Sequence, residues 1–361
     1  MQKKIVTVIG ARPQFIKAAV VSRALKKDGG IEEVIIHTGQ HYDNNMSEIF
    51  FTEMEIPRPA YNLAIHESLH GAMTGKMLAG IEQILLKENP AIVLVYGDTN
   101  STLAGALAAS KMHLKVAHVE AGLRSFNMKM PEEINRIITD RISKFLFCPT
   151  DTAMKNLAAE GFEQSFYHLF NTGDVMFDAA LYYFEKSNDG IIKRLGIKND
   201  EFILSTIHRA ENTDDINNLR SIINALNTLH KNVKVIVPLH PRTKKLIQQN
   251  NITTDFIIID PVGYFDMMQL LANCKLVITD SGGLQKEAYF FKKFCVIMRE
   301  QTEWVELVAS HYSKLSGCDE NKIVSSALGF LQESFPMASG LYGDGNAGDK
   351  IISILNRKAF D

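Results

Sequence analysis

Tryptophan occurs once in 361 residues and cysteine four times, and no run is apolar for the length a membrane span needs. The four cysteines, Cys148, Cys274, Cys295 and Cys318, form no CxxC pair, and none lies beside a histidine at metal-ligand spacing. That excludes the usual zinc and disulfide frameworks and leads us to expect free thiols in a reducing cytoplasm. The opening MQKKIVTVIG has basic residues before an apolar run, but the run is too short for a signal core. Charge of one sign is missing as well. Lys and Arg number 39, Asp and Glu 41, and no block of like charge stands out. A net charge of −2 offers no bulk attraction to nucleic acid or to an anionic membrane, and neither is expected as a partner. The first glycine turn, in VIGARPQFIK (8–17), is neither GxGxxG nor a Walker loop, so an ordinary NAD or NTP site is not supported there. Low-complexity segments, long linkers and internal sequence repeats are absent too.

What remains is a regular alternation of short apolar runs and longer amphipathic segments. KIVTVIG, EEVIIHTG, AIVLVYG, KVAHVE and FLFCPT read as strands, with helices such as QFIKAAVVSRALKK, STLAGALAASKM and PEEINRIITDRISK between them. Strands that are apolar throughout, separated by helices, signal a parallel sheet covered on both faces. After about residue 170 the pattern begins again with FILSTIH, VKVIVPLH, DFIIID, KLVITD and FCVIMR as strands. The expected fold is α/β, with two Rossmann-like, doubly wound domains. The first spans 1–170 and takes back a terminal helix from 346–361; the second spans 171–345.

Ligands of such sheets bind beyond the carboxyl ends of the strands. Asp98 and Glu120 both stand at strand ends, and PEEINR brings Glu132 and Glu133 shortly after. Strand-end carboxylates either cap the next helix or face a ligand; the AGLRS that follows Glu120 is a poor helix start, which weakens capping there. VIGARPQFIK (8–17) runs strand, tight turn, helix, with Arg12 and Lys17 near a helix N-terminus that attracts anions. The alternative is that both are solvated surface charges. VITDSGGLQKEA (277–288) repeats the logic: Ser281, Gly282 and Gly283 let a phosphate approach the backbone, and Glu287 is placed to accept hydrogen bonds from a vicinal diol such as a ribose. A plain structural turn is the competing reading. His208 with Arg209, and His240 with Arg242, follow two further strands and suit a phosphate-rich ligand better than a metal. Trp304 and Cys148 read as packing residues. For His113 and His118 the sequence names no partner, and His118, lying in a strand, is free to point away from a cleft.

Taken together, GARPQFIK, GQHYDNNM, VYGDTNSTLAGALAA, HVEAGLRS, PEEINR, HRAEN, TDSGGLQKEA and LYGDGNA resemble the bacterial non-hydrolysing UDP-N-acetylglucosamine 2-epimerases, in order and over the whole chain. GARPQFIKAAVVS, SFNMKMPEEINR, RAENTDD and QTEWVELV resemble the branch acting on UDP-2,3-diacetamido-2,3-dideoxy-glucuronate, which serves surface polysaccharides. The commoner branch tends to have GTRPE at Gly10–Gln14 and TERPE at Thr302–Glu306. It also carries a second glutamine where this chain has Asp43 beside Gln40 and His41, in a stretch that can bind an activating substrate molecule.

The resemblance implies a glycosyltransferase-B-like pair of domains facing a cleft, a UDP-sugar substrate, a homodimer, and no metal or redox cofactor. It implies a reaction by elimination and re-addition of UDP. Asp98, Glu120 and Glu132 correspond to the family's acidic catalytic set, and His208 is counted with the catalytic residues as a group on the diphosphate. Arg12 and Lys17 would hold the diphosphate, helped by Ser281, Gly282 and Gly283; Arg136 and His240 join the substrate-binding set, and Glu287 would hold the ribose. Three other readings share these features: a hydrolysing epimerase, a retaining glycosyltransferase, and a non-catalytic UDP-sugar-binding regulator.

Overall fold

The computed structural model describes residues 3–40, 55, 58–162, 166–336 and 340–360. The Arg12 side chain, and His41 and Asp43, lie outside the described part. The chain divides into two compact units, Met1–Ala179 with Gly340–Asp361, and Ala180–Ser339. The division falls inside the helix Val175–Lys186, and the stretch from Gly340 belongs to the first unit.

The first unit is built on a seven-stranded sheet of β1 (Lys3–Ile9), β2 (Ile31–His37), β3 (Tyr61–Asn62), β4 (Ile92–Tyr96), β5 (Lys115–Val119), β6 (Phe145–Cys148) and β7 (His168–Asn171). The strand order is β3-β2-β1-β4-β5-β6-β7, and every pairing is parallel. The inner strands are buried along their length because helices cover both faces, which explains why they read as unbroken apolar runs. Each buried Ile, Val or Leu contributes about 1.5–3 kcal/mol of transfer free energy. The order reverses direction between β1 and β4, and the carboxyl ends of β1, β4 and β5 are brought level by the register Val8↔Val95 and Val95↔His118. This is where ligands of doubly wound sheets bind.

Four helices carry residues to that edge: α1 (Arg12–Asp28), α2 (His70–Glu88), α3 (Asn100–Lys111) and α4 (Pro131–Ile142). α1 begins with Pro13 in its first turn, where a missing N–H costs nothing, and ends at Gly29, whose φ of 70° suits glycine. α3 begins at Thr99, whose side chain accepts from the Thr102 N–H while Thr102 Oγ1 accepts from the Thr99 N–H. α4 departs from the usual pattern. Its buried face carries Glu133, Asn135, Arg136, Thr139 and Asp140, whereas Ile134 and Ile138 are exposed. A charged stripe buried at helical spacing must be satisfied internally, and the partners are described below. The terminal helix Ala347–Lys358 packs on α1, with Gly348 against Val20.

The second unit holds a six-stranded sheet of β8 (Phe202–Thr206), β9 (Lys234–Pro238), β10 (Ile257–Ile259), β11 (Leu276–Thr279), β12 (Cys295–Ile297) and β13 (Ser313–Leu315). Its order is β10-β9-β8-β11-β12-β13, again with parallel pairings throughout. The direction reverses between β8 and β11, so the two units share one winding scheme without sharing sequence. Both carry out the α/β expectation. The short edge strands β3, β7 and β13 and the helix Glu320–Gln332, which packs on Ile216–His230, were not read from sequence. Among the described residues no helix is long and apolar enough to cross a membrane.

Candidate active site

In the first unit the site is built around Gly97, the turn residue after β4. Its φ is +62°, and a Cβ placed there would lie 3.1 Å from Lys17 Nζ and 3.2 Å from Glu120 Oε2. Only glycine fits both demands. Lys17, on the second turn of α1, and Glu120, just past β5, form an ion pair in which both side chains are nearly buried. Glu120 itself holds φ 74°, uncommon for a residue with a Cβ. It is kept there by β6, whose Phe147 carbonyl accepts from the N–H groups of both Glu120 and Ala121. The strand-end carboxylate is thus not a helix cap. Asp98 follows Gly97 and pairs with Arg136 of α4, which also donates to Glu133 Oε2 at 3.0 Å. Burial pushes the Arg136 guanidinium down, but Asp98 and Glu133 outweigh it and leave it above its ordinary value. Asn135 of the same helix donates to the Asp98 carbonyl at 2.9 Å.

Of the two adjacent carboxylates in PEEINR, the structure turns Glu133 inward. It accepts from Ser125 N–H (2.9 Å), Ser125 O–H (2.8 Å) and Phe126 N–H (2.9 Å), closing the loop after β5. Glu132 is exposed in the first turn of α4. The structure therefore brings together Lys17, Asp98, Glu120 and Arg136 around Gly97, with Glu132 outside that group.

Gln14 holds the anion-type turn after β1 against the end of β4. Its Oε1 accepts from the N–H groups of Gly10 (2.8 Å) and Ala11 (3.0 Å), while Nε2 donates to the Tyr96 carbonyl (2.9 Å) and Thr102 Oγ1 (2.9 Å). His118 has the partners the sequence could not name: its ring is fully buried, with Nδ1 2.7 Å from Asp140 Oδ1 and Nε2 2.7 Å from the Gly97 carbonyl. Neither role was visible in sequence, since Asp140 stands 22 residues from His118. The polar i, i+3, i+7 stripe Glu133–Arg136–Asp140 was the available signal. Cys148 is core, as read.

In the second unit the residues gather at the ends of β8 and β11. Asp280 accepts from the His208 N–H (2.9 Å) and the Arg209 N–H (3.0 Å) and lies 2.8 Å from His208 Nδ1. Burial pushes the Asp280 carboxyl up, but the His208 ring and these backbone donors hold it below the ordinary carboxylate range. The His208 side chain is half exposed, so its ring is oriented from behind and open in front. Ser281 caps the nine-residue helix Gly282–Phe290, accepting from the Leu284 N–H. At Gly283 an added Cβ would meet nothing within 4 Å. At Gly282 it would lie 3.9 Å from both Arg209 and Arg299 and 3.8 Å from Glu303. A helix N-terminus with a bare backbone and two guanidinium groups beside it favours an anion.

Arg299 donates to Glu303 with two bonds, at 2.9 and 3.2 Å, and Trp304 Nε1 donates to the Gly282 carbonyl at 2.9 Å. Trp304 is thus more than a packing residue, since it pins the turn. Glu287 is buried and accepts from the Tyr264 hydroxyl at 3.3 Å. His240 is exposed and caps the helix Pro241–Gln249 through Nδ1. Asp280, Arg299 and Glu303 were missed by sequence reading; Asp280 had the same signal as Asp98, a carboxylate ending an apolar run.

A family model described as UDP-N-acetylglucosamine 2-epimerase matches residues 23–356. The UDP-2,3-diacetamido-2,3-dideoxy-D-glucuronate 2-epimerase of Pseudomonas aeruginosa is 55% identical over 354 residues, 98% of this chain and 99% of that protein. Among solved structures, the Methanocaldococcus jannaschii UDP-GlcNAc 2-epimerase in complex with UDP-GlcNAc and UDP is 41% identical with a TM-score of 0.85, covering 99% of this chain and 100% of that one. The Neisseria meningitidis UDP-GlcNAc 2-epimerase bound to UDP-GlcNAc is 30% identical with a TM-score of 0.86, covering 98% and 100%. Two parallel-sheet α/β units, a carboxylate–cation group at the strand ends of one and an anion-type helix start in the other therefore belong to an isomerase: this chain is a member of the UDP-N-acetylglucosamine 2-epimerase family.

Proposed function

We propose that this enzyme inverts C2 of a UDP-2-acetamido sugar without net hydrolysis, and that its preferred substrate is UDP-2,3-diacetamido-2,3-dideoxy-glucuronate rather than UDP-N-acetylglucosamine. The observation that carries the reaction is the pairing of Glu120 with Lys17 and of Asp98 with Arg136 on either side of Gly97. The substrate preference is supported by 55% identity to a protein of that name.

The C2 proton of such a sugar is barely acidic, so direct abstraction is slow. Elimination solves this. A carboxylate takes the C2 proton while the C1–O bond to UDP breaks, leaving a glycal and free UDP. A proton is then returned to C2 from the opposite face, and a UDP oxygen adds back to C1. This calls for more than one proton-transferring group near C1–C2 and cations on the departing diphosphate. Asp98 and Glu120, with Glu132 joining them from its exposed place at the start of α4, are the proposed proton-transferring set, each carboxylate returned to its starting state over the full cycle. Lys17 and Arg136 keep the first two oriented. In the second unit His208, Arg209 and Arg299, with the N–H groups of Gly282 and Gly283, would hold the diphosphate. Glu287 would hold the ribose. Arg12 and His240 complete the proposed substrate contacts. The same reading places the enzyme in the cytoplasm as a homodimer supplying mannuronate-type units to surface polysaccharide; fractionation and light scattering test those two parts.

The test is incubation with each sugar nucleotide in D₂O, followed by NMR at C2. Deuterium at C2 with UDP still attached supports elimination and re-addition, and the sugar that turns over identifies the substrate. Free UDP rising in step with released sugar would replace the proposal with a hydrolysing epimerase. Binding without exchange for either sugar would refute it.

A further inference from the structure

We propose that His118 is a positioning residue of this reaction, held as a doubly protonated imidazolium between Asp140 and the Gly97 carbonyl so that it fixes Asp98 and Glu120 together. The proposal rests on the reading that these two carboxylates act on the sugar.

The protonation follows from the partners. Nε2 lies 2.7 Å from the Gly97 oxygen, which can only accept, so Nε2 carries a hydrogen. Nδ1 lies 2.7 Å from Asp140 Oδ1. The other Asp140 oxygen accepts from Arg124 Nη1 at 2.7 Å and from the Gly122 N–H at 3.2 Å. A carboxyl whose Oδ2 takes both a guanidinium and a backbone N–H is ionised, so Oδ1 also accepts. Nδ1 therefore carries the second hydrogen.

The surroundings agree. Asp140 comes from α4, Arg124 from the loop after β5, and Glu160 from just past the helix Asp151–Ala159; Arg124 forks onto Glu160 at 2.6 and 2.8 Å. The neighbouring Cys148 thiol on β6 is pushed up by burial and by Asp140 and stays neutral. Two carboxylates and one guanidinium leave this cluster one positive charge short, and the His118 and Asp140 side chains are both wholly buried. A protonated His118 closes that balance and gives the buried Asp140 a cation on each oxygen, Arg124 on Oδ2 and the ring on Oδ1.

The consequence lies at Gly97. Its N–H donates to the Val119 carbonyl, and its own carbonyl accepts from His118, so the ends of β4 and β5 are tied twice. Gly97 directly precedes Asp98, and His118 stands two residues before Glu120. One buried ring thus sets the relative placement of both carboxylates, a placement on which proximity effects depend steeply.

The experiment combines ¹⁵N-histidine NMR of the wild-type protein with kinetics of His118→Gln and Asp140→Asn. The wild-type ring should show hydrogens on both nitrogens. His118→Gln should lower kcat about 100-fold with KM for the sugar nucleotide and affinity for UDP unchanged. Asp140→Asn should leave the ring with a single hydrogen and lower kcat with KM unchanged. A wild-type ring that carries one hydrogen overturns the proposal, and so does full kcat in His118→Gln. If that variant does not fold, the ring NMR and Asp140→Asn decide. If the wild type turns over neither sugar nucleotide, the epimerase reading fails and the positioning role with it, while the ring protonation is still read independently.

Discussion

Replacing Gly97 with alanine adds one methyl group at the point where the first unit crowds its charges. Two costs follow from the geometry. The backbone φ of +62° is left-handed, and a Cβ there costs about 1–2 kcal/mol. The new carbon also sits 3.1 Å from Lys17 Nζ and 3.2 Å from Glu120 Oε2, closer than most real Cβ contacts, and both atoms belong to an almost buried ion pair. Lysine is flexible, but Glu120 is pinned at φ 74° by the Phe147 carbonyl, so the pair cannot simply swing aside. Loosening a buried pair adds about 1–2 kcal/mol, taken below the 3–5 kcal/mol of outright removal. The sum, about 2–4 kcal/mol, corresponds to a Tm lowered by roughly 4–16 °C for a unit of this size. Calorimetry reads the stability change. Turnover should fall about 100-fold, because a shift of about 1 Å in either carboxylate is enough. Affinity for UDP, measured by titration calorimetry, should be largely kept, since most of the proposed nucleotide-holding groups, His208, Arg209, Arg299, Gly282 and Gly283, belong to the second unit and Arg12 alone to the first. An alanine variant with wild-type Tm and turnover would refute the crowding argument. One that loses UDP binding as well would refute the division of labour between the units.

Three further outcomes are expected. Arg136→Met removes the group that pairs Asp98 and the wholly inward Glu133; stability should fall by about 2–4 kcal/mol in denaturant titration, and turnover should drop to background. Asp280→Asn should weaken UDP binding about tenfold by releasing the orientation of His208, a loss of roughly 1.4 kcal/mol. Because the Asp280 carboxyl is held below its ordinary value, the stability it contributes is present above about pH 4 and is lost as pH falls through the folded value. The asparagine variant should lack that acid-side slope. Asp178 behaves oppositely: burial raises it to about 6, against donation from the N–H groups of Gly348 and Ala347, and its Oδ1 is buried without a partner. Its stabilising effect is therefore present below about pH 4 and lost as pH rises through about 6. Asp178→Asn should stabilise the first unit at pH 8 by about 1–2 kcal/mol and leave it unchanged near pH 4, as measured by urea unfolding at the two pH values.

The parallel sheets were legible because strands covered on both faces must be apolar at every position, and KIVTVIG, AIVLVYG and KLVITD are. The motif turns were legible for a related reason. A glycine turn between strand and helix, with an arginine after it or a capping serine before it, leaves a local trace at 10–17 and 281–287. Edge strands such as Tyr61–Asn62 and Ser313–Leu315 were not legible. They are two or three residues long and depend on a neighbour's hydrogen bonds rather than on their own pattern. PEEINR shows the boundary within one motif. The sequence marks a helix start with Pro131 and two acids, but which acid turns inward depends on the helix's rotation against the sheet.

By itself, then, the chain determines the kind and order of its inner elements, the places where anions and carboxylates meet strand ends, and the family those motifs resemble. Local conformation and apolar periodicity are properties of neighbouring residues, so they survive in one dimension. The partners of the buried charges were decided only in three. Lys17 meets Glu120 across 103 positions, Arg136 meets Asp98 across 38, and His118 meets Asp140 across 22. No local rule pairs them. They meet because the register of β1, β4 and β5 brings their strand ends level and α4 turns its charged face onto that edge, where each buried charge must find its opposite.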